Sequence, residues 1–474
     1  MSRALVVGSG PNGLAAAIAL LQGGVEVEVR EAADWVGGGL HSEELTLPGF
    51  VHDVCATVQP LAAGSPFFRT LDLDVQWIHP EAPAAHPLDD GTAVMLERGV
   101  DETADALGRD GGAYRRLMEP LVEAWAELAP AVLGRLPPPP RRTLRALESA
   151  GAGALARATR VALGDARSVA ESLFETERAR ASFAGHCAHA MLPLERRPSA
   201  GFGLALTVMG HAVGWPVARG GSSSLADALA ARVRQLGGSI VTGSRVDEVP
   251  TDRLVLADVA PRELVRLAGG RLPRRYERRL LSYRHGPGAF KVDWALDGPI
   301  PWRARECRRA GTVHLGGTLD EISHSEWGAW SGRPVERPFV LLVQQTLFDP
   351  TRAPEGKHVA WAYCHVPNGS GVEMTERIEA QVERFAPGFR DLVLARSSLG
   401  PRDLQGRNGN LVGGDLNGGA MDLGQILRRP AARLVPWSTP LDGVYLCSAS
   451  TPPGGGVHGM CGYWAAQAAL RDVG

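Results

Sequence analysis

The stretch RALVVGSGPNGLAAAIALLQGGVEVEVREAADWVGGGLHS, residues 3–42, decides how the chain folds. Its apolar run 4–7 predicts a buried parallel strand, and the apolar run 14–21 predicts a helix directly after it. Between them Gly8, Ser9, Gly10, Pro11, Asn12 and Gly13 supply G-x-G-x-x-G, the turn on which a dinucleotide's pyrophosphate rests. Gly8 permits the tight turn, Gly10 lets the backbone approach the pyrophosphate, and Gly13 lets the helix pack close to the strand. The helix N-terminus then offers unpaired N–H groups and the positive end of its dipole to the phosphates. A second strand, 25–30, delivers Glu31 where a carboxylate accepts hydrogen bonds from a ribose, which favours FAD or NAD over a 2′-phosphorylated nucleotide. In that strand Val25, Val27 and Val29 alternate with Glu26, Glu28 and Arg30, so one face is expected to be wet.

Gly37, Gly38 and Gly39 follow Glu31, with Ser42 shortly after. Together these features resemble the flavin-binding start of the family of carotenoid (phytoene) desaturases, amine oxidases and phytoene-dehydrogenase-related proteins. Within it the chain is most similar to the last group, also called pyridine nucleotide-disulfide oxidoreductase domain 2-like. The resemblance implies FAD as cofactor and an α/β fold: a Rossmann-type FAD-binding domain, glutathione-reductase/amine-oxidase-like, with an α+β substrate domain built on an antiparallel sheet and a helical lid. It also implies that the run 37–39 and Ser42 lie against the cofactor. The family commonly has an arginine after those glycines; Leu40 and His41 stand there, and no arginine contact is carried over.

The other end of the chain carries the second half of the resemblance. A strand at 443–447, a Pro/Gly loop at 452–456 and a helix at 459–470 are similar to the C-terminal flavin motif of carotenoid desaturases, whose helix N-terminus stabilises negative charge on reduced flavin. This implies cofactor contacts at Ser450, Gly456, Val457, His458 and Gly459. Ser448, Ala449 and Ser450 replace the family's usual Gly-Asp pair, so hydroxyls stand in for a carboxylate. Gly220, Gly221 and Ser222 open a helix that, as the resemblance implies, returns the chain to the FAD domain. The segment 246–260, with Val246 as an implied cofactor contact and Ala257 and Asp258 near its end, is shorter than the family's antiparallel meander. The implied organisation is a discontinuous FAD-binding domain (1–80, 216–287, 396–474) and a substrate domain (81–215, 288–395) containing a helical block at 101–192.

Composition sets outer bounds. A length of 474 residues suits about three domains or two unequal ones. Hydrophobic content of 44% and charged content of 22% are ordinary for a globular protein. A net charge of -2 gives no electrostatic reason to expect nucleic acid or an anionic membrane. Six scattered cysteines show no C-x-x-C and no metal-ligand spacing. With no basic and apolar leader ahead of the first strand, a cytoplasmic location is expected.

Between the two ends, His52 and Asp53 follow the glycine run, and two readings stay open: a pair orienting a proton acceptor, or a hydrogen-bonded core pair. Residues 84–96 read as a hairpin turning at Asp89, Asp90 and Gly91. The helical block 101–192, interrupted at Pro137 to Pro140, is either a substrate lid or a completion of the core. Residues 198–218 contain no Asp, Glu, Lys or Arg and read as a buried helix and turn lining an apolar pocket, with weak membrane association as the alternative. Segments 288–296, 312–315, 339–348 and 358–365 read as strands of one antiparallel sheet. Lys291 and Asp293 share a face of the first. In related flavin oxidases a strand lysine holds a water against the flavin, which makes Lys291 a catalytic candidate or else a salt-bridged lysine.

The chemistry follows from what is present and what is missing. A second G-x-G-x-x-G after a strand is absent, as is a redox-active cysteine pair, which argues against a disulfide reductase. The expected function is FAD-dependent dehydrogenation or desaturation of an apolar small molecule, isoprenoid- or polyketide-like, with oxygen or a quinone taking the electrons. Two alternatives remain open: a redox-neutral isomerase or saturase using reduced FAD, and a flavoprotein binding partner without turnover. No aromatic pair stands out as a cage for an amine.

Overall fold

A computed structural model describes residues 3–134 and 140–473. Two sheets organise it. The first is parallel, in the order Val444–Leu446, Leu254–Ala257, Arg3–Val7, Glu26–Arg30, Ser239–Val241. Its order reverses beside Arg3–Val7, and the crevice at the carboxyl ends of that strand and Leu254–Ala257 is where such sheets bind ligands. One face carries the helices Pro11–Gln22, Ser223–Gln235 and Met460–Val473 over a core that includes Val6, Ile18, Val27, Leu229 and Ala466. The other is covered by helices Pro261–Leu267 and Arg274–Leu281, packed on Leu5, Val7, Val255 and Leu446.

The alternation in Glu26–Arg30 is resolved by this arrangement. Val25, Val27 and Val29 are buried under the helices, whereas Glu26 is exposed and Glu28 and Arg30 are half-buried. Glu28 pairs with Arg30 (2.6 Å) and Arg253 (3.6 Å) on the wet face.

The second sheet runs Val393–Leu399, Gly288–Leu296, His358–Val366, Val340–Val343, Ala310–Leu315, Ala82–Pro87, Ala93–Leu96. It is antiparallel except where Ala310–Leu315 pairs in parallel with Ala82–Pro87, so it is mixed rather than purely antiparallel. The expected hairpin thus joins this sheet. The strand expected over 339–348 stops at Val343, and a 3₁₀ turn, Gln345–Leu347, replaces its second half. The segment boundary expected at 395/396 falls inside Val393–Leu399, which pairs with the second sheet up to Leu399.

Register places one row of side chains on a single face of this sheet. Lys291 lies opposite Tyr363 and Asp293 opposite Trp361; Tyr363 and Trp361 in turn lie opposite Leu341 and Val343, and Leu341 opposite His314. Because side chains alternate along strands, Thr312 shares the face with His314. The opposite face buries Phe290, Val292, Trp294 and Leu296 with Ile378, Val382 and Phe385 of helix Thr375–Phe385.

The helices between Val100 and Ala188 pack with helix Ser199–Ala212 into a core of their own. Pro137 to Pro139 lie outside the described residues, and Pro140 starts the helix Pro140–Ala150. Ser199–Ala212 is 14 residues long. Among the described residues no helix is long and apolar enough to cross a membrane.

Candidate functional site

A cavity of about 320 Å³ runs from the crevice of the parallel sheet to the patterned face of the mixed sheet. At its first end the glycine turn behaves as the motif requires. Gly8 adopts φ +96° and donates its N–H to Arg30 O (2.8 Å). A side chain at Gly13 would place its Cβ 2.1 Å from Gly8 O, so only glycine lets the helix sit this close. Gly37 donates to Ser9 O (3.0 Å), which lays the second glycine run on the first turn. The helix Met460–Val473 runs parallel to Pro11–Gln22: a Cβ on Gly462 would strike Asn12 O, and one on Gly23 would strike Leu470. Two helix N-termini therefore face the same end of the cavity, and their dipoles add there.

The sequence candidates divide into two sets. Gly10, Pro11, Asn12, Gly39, Ser450, Gly456 and Val457 line the cavity. The others stand behind it. Glu31 accepts from the Ser9 N–H and hydroxyl (2.8 Å each) and from Ala33 N–H (2.9 Å), so its carboxylate braces the glycine turn and keeps about one lone-pair direction for a ribose. Gly8, Gly13, Gly37 and Gly38 shape the turn from behind. His458 Nδ1 accepts the Met460 N–H (2.9 Å) and thus caps the C-terminal helix, its imidazole held down at about 4 by burial. A Cβ on Gly459 would meet Phe68 and Ala15, which makes this glycine a packing position.

The geometry places the four remaining candidates, Ser42, Val246, the His52 and Asp53 pair and Lys291, away from the cavity wall. Ser42 donates to Asp53 Oδ1 (2.7 Å) and to no cavity group; its N–H donates to Ser223 Oγ (2.8 Å), locking the glycine loop to the turn at Gly221. Val246 is buried beneath helix Pro261–Leu267, on the sheet face opposite the glycine-motif helix. His52 and Asp53, adjacent in the short strand His52–Asp53, point to opposite sides and neither lines the cavity, which favours the hydrogen-bonded core reading. His52 Nε2 bonds Thr46 Oγ1 (2.8 Å), and burial followed by Lys291 lowers its pKa to about 3. Asp53 meets Arg352 (3.0 Å), Ser222 N–H (2.8 Å) and Thr57 Oγ1 (2.9 Å). Burial pushes the Asp53 carboxyl up, but Arg352 and these donors outweigh it and hold it at about 2. Lys291 is 2% exposed, pairs with Asp293 (2.7 Å) and donates to Asp53 O (2.9 Å). Its ammonium thus holds two partners in a buried network, and Lys291 is not among the residues that line the cavity.

Asp258 is the residue that the motif reading passed over. It follows the strand Leu254–Ala257, lines the cavity, and accepts the Gly13 N–H at Oδ2 (2.9 Å). A Cβ on Gly10 would lie 2.8 Å from the same oxygen. Burial raises this carboxyl to about 7 despite the Gly13 hydrogen bond. Asn410 holds it from behind, donating to Asp258 O (2.8 Å) and accepting from Ala260 N–H (2.7 Å). Asn408, Asn410 and Asn417 come from an irregular segment with no motif to announce them.

The first end fits a dinucleotide with a flavin. Asn12 Oδ1 and Asn417 Nδ2, both on wall residues, are buried without partners, and a bound polar ligand would satisfy them. Ser448 and Ser450, hydroxyls 2.7 Å apart, supply the neutral polar surface expected where a carboxylate is missing.

The second end is apolar and aromatic. Leu206, Trp215, Leu341, Val343, Trp361 and Tyr363 form it, joined by His189 and Thr312. Helix Ser199–Ala212 contributes Leu206, in line with the expected pocket-lining helix. Of the block 101–192, His189 alone among the described residues reaches the wall; the helices otherwise pack into a core of their own. Trp361 and Tyr363 are an aromatic pair that the sequence hid as W-x-Y in one strand. Their centroids are 5.0 Å apart and their planes 59° from parallel, so the rings touch and leave no slot for a cation between them.

Comparison with known proteins agrees with this geometry. The family model for flavin containing amine oxidoreductases matches residues 12–258. The chain is 27% identical to a pyridine nucleotide-disulfide oxidoreductase domain-containing protein 2 of Rattus norvegicus, an alignment covering 99% of this chain and 93% of the relative. It is 27% identical to a phytoene dehydrogenase of Streptomyces griseus over 82% of this chain and 77% of that one. Among solved structures, an oxidoreductase from Methanosarcina mazei superposes with a TM-score of 0.65 at 17% identity, covering 99% of this chain and 100% of the other. With the glycine turn, the paired helix N-termini and the family match in agreement, the chain belongs to the flavin containing amine oxidoreductases, and its cofactor is FAD.

Proposed function

We propose that this FAD-dependent oxidoreductase is a dehydrogenase or desaturase of an apolar small molecule, with oxygen or a quinone as electron acceptor. The observation that carries the reading is the second end of the cavity: its walls are mostly leucine, valine, tryptophan and tyrosine, and among the described residues no carboxylate lines it to pair with an ammonium. The flavin, when bound, supplies acceptance of a hydride. The chain's own residues do the rest. Gly10, Pro11, Asn12 and Asn417 hold the dinucleotide end; Leu206, Leu341 and Val343 exclude water; Trp361 and Tyr363 set the orientation of a flat or branched hydrocarbon.

The distant likeness to a phytoene dehydrogenase supports a hydrocarbon-like substrate. Thiol chemistry, suggested by the name of the rat relative, has little support. All six cysteines are free, and Cys55, the one on the cavity wall, is pushed up to about 11 by burial and so stays protonated. Anaerobic mixing of the FAD-loaded protein with a panel of isoprenoid and polyketide-like compounds tests the proposal. Loss of oxidised-flavin absorbance with at least one compound is the expected result; reduction by primary amines alone would overturn it.

A further inference from the structure

The apolar end of the cavity is not uniformly apolar. Gln59 is 1% exposed; its Nε2 donates to Ala56 O (3.2 Å), and its Oε1, on a wall residue, is buried without a partner. Gln59 N–H donates to Pro216 O (2.8 Å), which seats this side chain beside Trp215. His189 stands against Trp215 with ring centroids 5.6 Å apart, and its Nε2 is 3.0 Å from His314 Nε2. That bond leaves Nδ1 as the nitrogen able to address a molecule in the cavity. Burial holds the His189 imidazole down at about 3, and His314 is likewise held neutral. Thr312 lies two residues before His314 on the same face, and its hydroxyl completes the group.

We propose that Gln59, His189 and Thr312 form a specificity site for one neutral oxygen function, a hydroxyl or carbonyl, carried by an otherwise apolar substrate. The inference deepens the functional reading above and rests on it. Three uncharged side chains offer both donors and acceptors, which a hydroxyl uses in both senses and a carbonyl in one. The charged and titratable wall groups Asp258 and His285 lie at the other end, beside Gly13 and Asp415 respectively. An ammonium or a carboxylate at the apolar end would thus be desolvated with no counter-charge on the wall there, the nearby Lys291 and Asp293 being matched to each other, whereas a neutral oxygen costs little once hydrogen-bonded. His314 is a positioning residue: it fixes the ring of His189 and, being neutral, can serve as donor to or acceptor from Nε2. His189 can therefore present either a lone pair or an N–H at Nδ1.

The test is calorimetric titration of the FAD-loaded protein with 2-octanol, 2-octanone, 2-aminooctane and octanoate at neutral pH. The alcohol and the ketone should bind, each at least about tenfold more tightly than the amine or the acid. Gln59→Leu and Thr312→Val should each weaken the alcohol by about two- to tenfold while sparing the selectivity against charge. His189→Phe, which keeps the contact with Trp215, should do the same, and a folded variant is verified by retained flavin. Equal or tighter binding of the amine or the acid, alcohol affinity unchanged in all three variants, or no binding of any probe would each overturn the site. FAD uptake is read separately from flavin absorbance. Flavin reduction by primary amines alone would fail the functional reading, while ligand discrimination would still be measured in the same titrations.

Discussion

Replacing Asp258 with asparagine is expected to stabilise the protein in a manner that depends on pH. The carboxyl sits at the cavity end where two helix N-termini meet, yet burial moves it from 3.8 to about 7. Since the folded-state value is raised, the stability that this group contributes is fully present below pH 3.8 and is lost as pH rises through 7. That rise corresponds to about 4 kcal/mol at pH 8 and about 1.6 kcal/mol at pH 5. Asparagine keeps an acceptor for the Gly13 N–H and removes the titration. Chemical denaturation of the FAD-free wild type and Asp258→Asn at pH 5 and pH 8 should therefore show an advantage for the variant that widens by about 2–3 kcal/mol with pH. FAD affinity should follow: in the wild type it should fall as pH rises past 7, because the carboxylate then faces a pyrophosphate, and in the variant it should stay flat. Parallel stability curves, together with wild-type FAD affinity that does not fall with pH, would refute the reasoning.

Other outcomes follow from the same structure. Arg352→Met leaves the Asp53 carboxylate buried without its cation and should cost about 3–5 kcal/mol in thermal or denaturant unfolding. In the wild type Asp53, held at about 2 against 3.8, contributes stability present above pH 3.8 and lost as pH falls through 2, a dependence that Arg352→Met should abolish in acid titration of unfolding. Lys291→Met should lower stability by a similar amount, and adding Asp293→Leu should restore much of it; a lysine acting on substrate would show no such recovery and would instead lose turnover alone. Glu31→Ala should weaken FAD by about 1.5–3 kcal/mol, roughly ten- to a hundredfold, read from flavin fluorescence on dilution.

The parts of the fold legible in the sequence were those in which local geometry leaves few choices. A turn that tolerates no Cβ at Gly13, a helix that must follow it and an acid that closes the next strand are written in consecutive residues, and the wet face of Glu26–Arg30 was visible as simple alternation. The two ends of the chain meet because both end in glycine loops feeding helices. What stayed hidden depends on register between distant strands. Trp361 and Tyr363 become cavity walls only once Leu341 and Val343 lie opposite them, and Thr312 and His189 join only when helix Glu177–Ala188 ends above the same face. The two readings of His52, Asp53 and Lys291 stayed open for a related reason. Residue types suited to catalysis are equally suited to a buried ion network, and only the partners Arg352 and Asp293, far away in sequence, distinguish the two. Asp258 was visible as a strand end, but its importance lies in the Gly13 N–H that it occupies.

The account rests on a flavin that receives hydride from a neutral, largely apolar substrate and not from a nicotinamide. Anaerobic addition of NADH or NADPH to the FAD-loaded protein, followed by the apolar panel, measures this directly. The expected result is a flavin spectrum unmoved by either nucleotide and bleached by a member of the panel. Rapid bleaching by NADH or NADPH, with no response to any apolar compound, would contradict the account and identify reduced FAD as the working form of the enzyme.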